Sequence, residues 1–65
     1  MEKDTVEFFI GKYVKLERQR PHDRRPFKLF GTIKNVTEDS VLIQTKQRFG
    51  AIRLCDVVSV QEWDD

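Results

Sequence analysis

The sequence predicts a mainly β fold: a short N-terminal helix followed by a five-stranded, strongly bent antiparallel barrel. Three observations carry that reading. The longest β-type run, F27-K-L-F-G-T-I-K-N-V36, has Gly31 in its middle. A glycine inside a strand has no side chain to pack and marks a sharp bend, a bulge or a close backbone approach. Apolar and polar residues alternate in the other short runs, which is the period of a half-buried strand. Polar turn signals separate the runs closely, and closing a small meander into a barrel removes the edges that short strands otherwise expose.

The elements follow in order. Asp4 or Thr5 is the expected N-cap of a helix over about residues 4–10, with Val6, Phe9 and Ile10 on one stripe and Gly11 as the C′ stop. The barrel then occupies about residues 12–63. Y13-V-K-L-E-R18 alternates and reads as the first strand, and R18-Q-R-P-H-D-R-R-P26 reads as a loop because of its two prolines and its charges. In the second strand Leu29, Gly31 and Ile33 share a face; Val36 breaks the alternation, so a bulge is expected near Lys34–Asn35. Thr37, Glu38 and Asp39 form a turn. Val41 and Ile43 face inward in the third strand and Leu42 outward. K46-Q-R-F-G50 reads as a turn, A51-I-R-L54 as the fourth strand with Ile52 and Leu54 inward, Cys55–Asp56 as a one-turn 3₁₀ corner, and Val57 to Trp63 as the fifth strand.

A chain of 65 residues makes a single domain, 1–65, and one this small buries only about 60% of its unfolded surface. Other support is expected. Cys55 has no second cysteine to pair with and His22 is the sole histidine, so neither a disulfide nor a four-ligand zinc site can supply it. Oligomerisation remains. The opening MEKDT lacks the apolar h-region of a signal peptide, no apolar run approaches a membrane span, and a lone thiol suits a reducing compartment. The expectation is a cytoplasmic protein with no membrane partner. Asp64–Asp65 and Glu38–Asp39 lie at a terminus and a turn tip, where nothing would raise a carboxyl pKa for acid catalysis. The glycines are too dispersed for a phosphate loop. No enzyme activity, cofactor or small-molecule substrate is expected. His22 reads as an exposed loop residue and Cys55 as a small buried filler.

The net charge is only +1, yet it is unevenly spread: residues 12–34 carry +6, residues 1–11 carry −2 and residues 35–65 carry −3. Tight turns place alternate loops at the same end of a barrel. Loop 18–26 and turn 46–50 should therefore gather Arg18, Arg20, Arg24, Arg25, Lys46 and Arg48 around Phe49. Turn 37–40 and corner 55–56 should gather Glu38, Asp39 and Asp56 at the opposite end. The basic end is where the phosphates of single-stranded RNA would bind, in a salt-dependent way; the alternative is a solvated charge run. Phe8, Phe30 and Trp63 point outward, and outward aromatics on a barrel commonly mark an interface; Phe30, Trp63 and Val58 are the candidate subunit contacts.

These residues resemble the Sm-like (LSm) family. Leu29, Gly31, Ile33, Val36 and the strand from Val41 match its first motif, an apolar residue on each side of a strand glycine followed by a turn and an apolar strand. Ile52, Arg53, Val57 and Val60 match its second, I-R-G-x-x-V-x-x-I, with Leu54 in place of the glycine. The resemblance covers residues 4–62. The segments V36-T-E-D-S-V-L-I43 and R53-L-C-D-V57 also resemble the C-terminal barrel of bacterial ribosome-maturation factors. The family resemblance implies an SH3-like barrel, a homo-oligomer, normally a ring, built by pairing the fourth and fifth strands with neighbours, and RNA binding. RNA-binding members carry an Asp and an Asn in the turn between the second and third strands. Here Thr37 stands in the first place and Ser40 or Val41 in the second, so the implied nucleotide pocket is atypical or weakened. Arg53 is what survives of it. Its guanidinium either stacks on a base or meets a phosphate near the centre of a ring, or it pairs with Asp56 or Glu38 across a subunit boundary. The alternative function is a protein-interaction or assembly barrel with no nucleic-acid role.

Overall fold

Alternating burial defines the strands of the computed structural model, which describes residues 1–64. In β1 (Tyr13–Arg18) the Val14 and Leu16 side chains are fully buried, while Lys15 and Glu17 share the other face, 3.9 Å apart. β2 (Phe27–Val36) runs antiparallel to β1 from Phe27 to Thr32, placing Gly31 opposite Val14 and Leu29 opposite Leu16. From Thr32 onward it pairs instead with β3 (Ser40–Gln44). One ten-residue strand thus serves two neighbours in succession. The expected bulge is present: Ile33 faces Ile43 but Asn35 faces Leu42, leaving Lys34 as the extra residue.

Gly31 makes this change of partner possible. A Cβ at Gly31 would overlap the carbonyl oxygen of Gln44 and come within 3.2 Å of Ile43 Cγ1. Its φ is not positive, so the need is for space and not for an unusual backbone conformation.

The third and fourth strands form a hairpin. β4 (Phe49–Arg53) pairs with β3 from Phe49 opposite Gln44 to Arg53 opposite Ser40. The turn between them is therefore shorter than the sequence reading had it. Thr45 N–H donates to the Arg48 carbonyl at 2.8 Å, and the Arg48 N–H donates to Thr45 Oγ1 at 3.2 Å. That hydroxyl-based turn ends by Arg48, so Phe49 and Gly50 belong to the strand. A 3₁₀ turn, Leu54–Asp56, then leads into β5 (Val57–Glu62), antiparallel to β1.

The sheet order is β4-β3-β2-β1-β5. The expected closed barrel is corrected here: among the described residues no ladder joins β4 to β5, and the five strands form one bent, open antiparallel sheet. The reason lies in the 3₁₀ turn. Its three residues carry the chain across the end of the sheet and not back alongside β4, so strands consecutive in sequence become the two opposite edges.

The helix α1 (Lys3–Glu7) is shorter than expected, and it starts earlier. Glu2, with no side-chain cap bond, precedes it, and Asp4 and Thr5 lie inside. Phe9 N–H and Ile10 N–H donate to the Val6 and Glu7 carbonyls in tight i to i−3 bonds, at 2.9 and 3.2 Å, which end the α-helix. They swing Ile10 to Lys12 alongside Ile33, where Gly11 N–H donates to the Ile33 carbonyl at 2.7 Å. Gly11 has φ +85°, a left-handed conformation, but it lies beyond the C-cap at Phe8 and so turns the chain after the helix; it is not the expected C′ stop. Only Val6 of the expected stripe is fully buried; Phe9 is half-buried and Ile10 exposed, because the chain has already left the helix. The core is completed by Val36, Val41, Ile52, Leu54 and Val57, so every element contributes to it.

Gly31→Ala should lower stability by about 1–3 kcal/mol through overpacking, whereas Gly50→Ala, where nothing lies within 4 Å of the new Cβ, should stay within about 0.5 kcal/mol. Urea denaturation of both variants checks this pair.

Candidate nucleic-acid interface

The basic residues converge where β1 ends beside the open seam of the sheet. Arg18 is the last residue of β1, and its guanidinium lies over the Phe27 ring at 5.1 Å from the centroid. Its Nε is buried and has no hydrogen-bond partner among the described residues. The next residue ties the loop down, with Gln19 N–H donating to the Asp56 carbonyl at 2.8 Å. Arg20 is held by reciprocal bonds with Asp23: its N–H donates to Asp23 Oδ2, and the Asp23 N–H donates to its carbonyl, both at 3.0 Å. From the other side of the seam the Thr45–Arg48 turn presents Arg48.

These arginines rim a cleft of about 250 Å³ that also includes Thr45 and has Leu29, Ile43, Gly50 and Ile52 in its walls. A second cleft of about 300 Å³ shares Arg18 and Arg20 and extends to Arg53 and Asp56. A third, also about 300 Å³, is bordered by Phe27, Lys28, Phe30, Lys46 and Arg48. The seam thus places cationic side chains beside apolar surface, an arrangement able to hold an anion that carries a ring.

The two ends expected from sequence are not separate. Arg18 and Arg20 share a cleft with Arg53 and Asp56, because the Gln19–Asp56 bond pins the start of loop 18–26 to the 3₁₀ turn. Arg53 Nε donates to Asp56 Oδ2 at 3.1 Å within the chain, from a side chain that is 65% exposed to one that is 9% exposed. The reach of three residues around the 3₁₀ turn allows the pair without a second subunit. Glu38 instead lies 3.8 Å from Lys3 Nζ. Arg24 and Arg25 are exposed and border none of these three clefts. His22 is 77% exposed. Cys55 is exposed, not a buried filler: on the 3₁₀ turn Leu54 and Asp56 take the inward positions and Cys55 points out between them.

The candidate interface residues lie on strands β2 and β5 and just beyond. The Phe30 and Trp63 rings meet at 5.8 Å, tilted by 57°, and Lys15 Nζ sits 4.8 Å from the Trp63 centroid. Val58 is exposed on β5. No helix is long and apolar enough to cross a membrane among the described residues.

Gly50 and Thr45 are among the cleft residues that the sequence reading does not place in a site. The period-two relation of Gly50 to the inward Ile52 was the available signal, masked because Gly50 was assigned to a turn. No family model matches the chain, nor does any curated protein or solved structure.

A double-mutant cycle on Arg53→Ala and Asp56→Ala should give a coupling of roughly 0.2–1 kcal/mol, since the exposed guanidinium is screened by water. Chemical denaturation of the four proteins measures it, and a coupling of zero would mean the pair contributes nothing to the turn.

Proposed function

We propose that this chain is an Sm-like RNA-binding protein that assembles as a homo-oligomer, with an atypical nucleotide site along the arginine-lined seam. The observation that carries the reading is the convergence of Arg18 at the end of β1 and Arg20 just after it with Arg48 from another turn on a single cleft beside edge strand β4. A flexible single strand can follow such a groove, its phosphates on the guanidinium groups and its bases on neighbouring apolar surface. Arg53 extends the cationic track, tempered by Asp56. Assembly is supported by the two free edges, since unpaired strands on a small open sheet template pairing with another chain. Pairing β4 of one copy with β5 of the next would satisfy both, and repeating that heterologous contact closes a ring if the rotation allows.

A second reading, a protein-interaction or assembly module with no nucleic-acid role, is favoured by the exposed Phe30–Trp63 pair. A stoichiometric protein partner recovered without RNA would support it over the first.

Fluorescence anisotropy with short single-stranded RNA at low and high salt tests the proposal. Binding should weaken with salt. Replacing Arg20 and Arg48 together by alanine should flatten the log–log salt slope by about 1.4, at roughly 0.7 for each lost phosphate contact. Alanine at Arg24 and Arg25, which stand outside the clefts, should change affinity less. Absence of binding at low salt would overturn the RNA reading. Light scattering should give a mass several times the 7.8 kDa of one chain; a monomer at all concentrations would overturn the assembly.

A further inference from the structure

Position 50 should carry an inward side chain and does not. Along β4 the burial alternates, with Ile52 inward, and Gly50 occupies the same face two residues earlier. Across the ladder it stands opposite Ile43, a core residue. Nothing lies within 4 Å of where its Cβ would be. Nor does the backbone require glycine, because Gly50 lacks a positive φ. The contrast with Gly31 is informative: at Gly31 the missing side chain is replaced by a neighbouring strand, and at Gly50 it is replaced by empty space.

That space is part of the cleft of about 250 Å³ rimmed by Arg18, Arg20 and Arg48 and walled by Leu29, Ile43 and Ile52. Its size sits just below the roughly 300–1,000 Å³ of clefts that hold drug-sized ligands, so the fitting occupant is a single ring with its substituent. A second, independent observation concerns charge. Arg18 lines this cleft with its guanidinium held 5.1 Å from the centroid of the Phe27 ring, so a cation is fixed at the rim beside the apolar wall.

We infer that the cleft receives one nucleotide unit, its base against the apolar wall in the space left by Gly50 and its phosphate among the three arginines. The inference rests on the nucleic-acid reading above and adds to it a defined subsite: the bound strand turns one unpaired base into the sheet. A phosphate, singly charged within a strand and doubly charged on a free mononucleotide, suits a cluster of guanidinium groups, and a flat ring suits a shallow apolar wall open at the seam. The same chemistry is offered by a free nucleoside monophosphate and by an unpaired residue within RNA.

The test is an amide NMR titration of the full chain with uridine and adenosine monophosphates, with ribose 5-phosphate as the baseless control, together with anisotropy on short single-stranded RNA. Mononucleotides should shift the Thr45, Gly50 and Ala51 amides and the Arg18 Nε–H. Ribose 5-phosphate should bind about tenfold more weakly, in line with the loss of one base contact. Gly50→Leu, which fills the space and keeps every arginine, should abolish the mononucleotide shifts. It should also weaken RNA binding about tenfold with the salt slope unchanged. Gly50→Ala should show a smaller loss in the same direction, and it carries the test if the leucine variant fails to fold.

Wild-type shifts that are absent at about 10 mM mononucleotide, a concentration that reports even weak affinity, would overturn the inference. So would equal binding of ribose 5-phosphate, or filled variants that bind RNA like the wild type; salt-dependent RNA binding would survive both. Mononucleotide binding without RNA binding would keep the subsite, assign it to a free nucleotide and remove the RNA reading.

Discussion

The contact between the Gly31 backbone and the Gln44 carbonyl governs the architecture. It lets β2 leave β1 and take up β3 within a single strand, because the two backbones approach more closely than any side chain permits. The bulge at Lys34 then adds twist, and β3 and β4 swing toward the start of β5. Without that bend the ten buried apolar residues could not surround one another, and a sheet of this size would have one face of its core in water.

An open seam is the consequence. The 3₁₀ turn at Leu54–Asp56 sends β5 to the far side of β1, so hydrogen bonding stops at β4 on one side and at β5 on the other. Across the gap lie the arginines, held by the tertiary bond from Gln19 to Asp56 and by the local bonds of Arg20 with Asp23 and Thr45 with Arg48. The same geometry therefore leaves two edges unpaired and sets cationic side chains beside the mouth of the core. In the proposed function those two features serve assembly and RNA, respectively.

Much of the fold was legible because it follows from local rules. Gly31, the Lys34–Asn35 bulge, the inward Val41 and Ile43, and the 3₁₀ corner each leave a signature in period or residue type. Closure did not, because whether β4 and β5 pair depends on the direction of three residues, and a small change there separates a barrel from an open wrap. The helix was misjudged for a related reason: its apolar spacing is helical, but the bridge from Ile10 to Ile33 draws the chain out of the helix early. Of the candidate site, the convergence of Arg18, Arg20 and Arg48 on one cleft was legible from charge and from the alternation of loops between the two ends. Their company with Asp56 depends on the Gln19 bond, a tertiary contact with no sequence mark, and Arg24 and Arg25, adjacent in the same loop, lie outside the clefts.

Amide hydrogen exchange on a dilute sample tests the open sheet most directly, since protection reports which backbone groups are hydrogen-bonded. The account predicts slow exchange through the centre of the sheet, at Leu16, Ile33 and Ile43, and fast exchange at those amides of β4 and β5 that face away from β3 and β1. Concentrating the sample should protect these edge amides as copies pair. Uniform protection of both edge strands in a monomer would mean that β4 and β5 bond to each other, and that the seam, with everything built on it, does not exist.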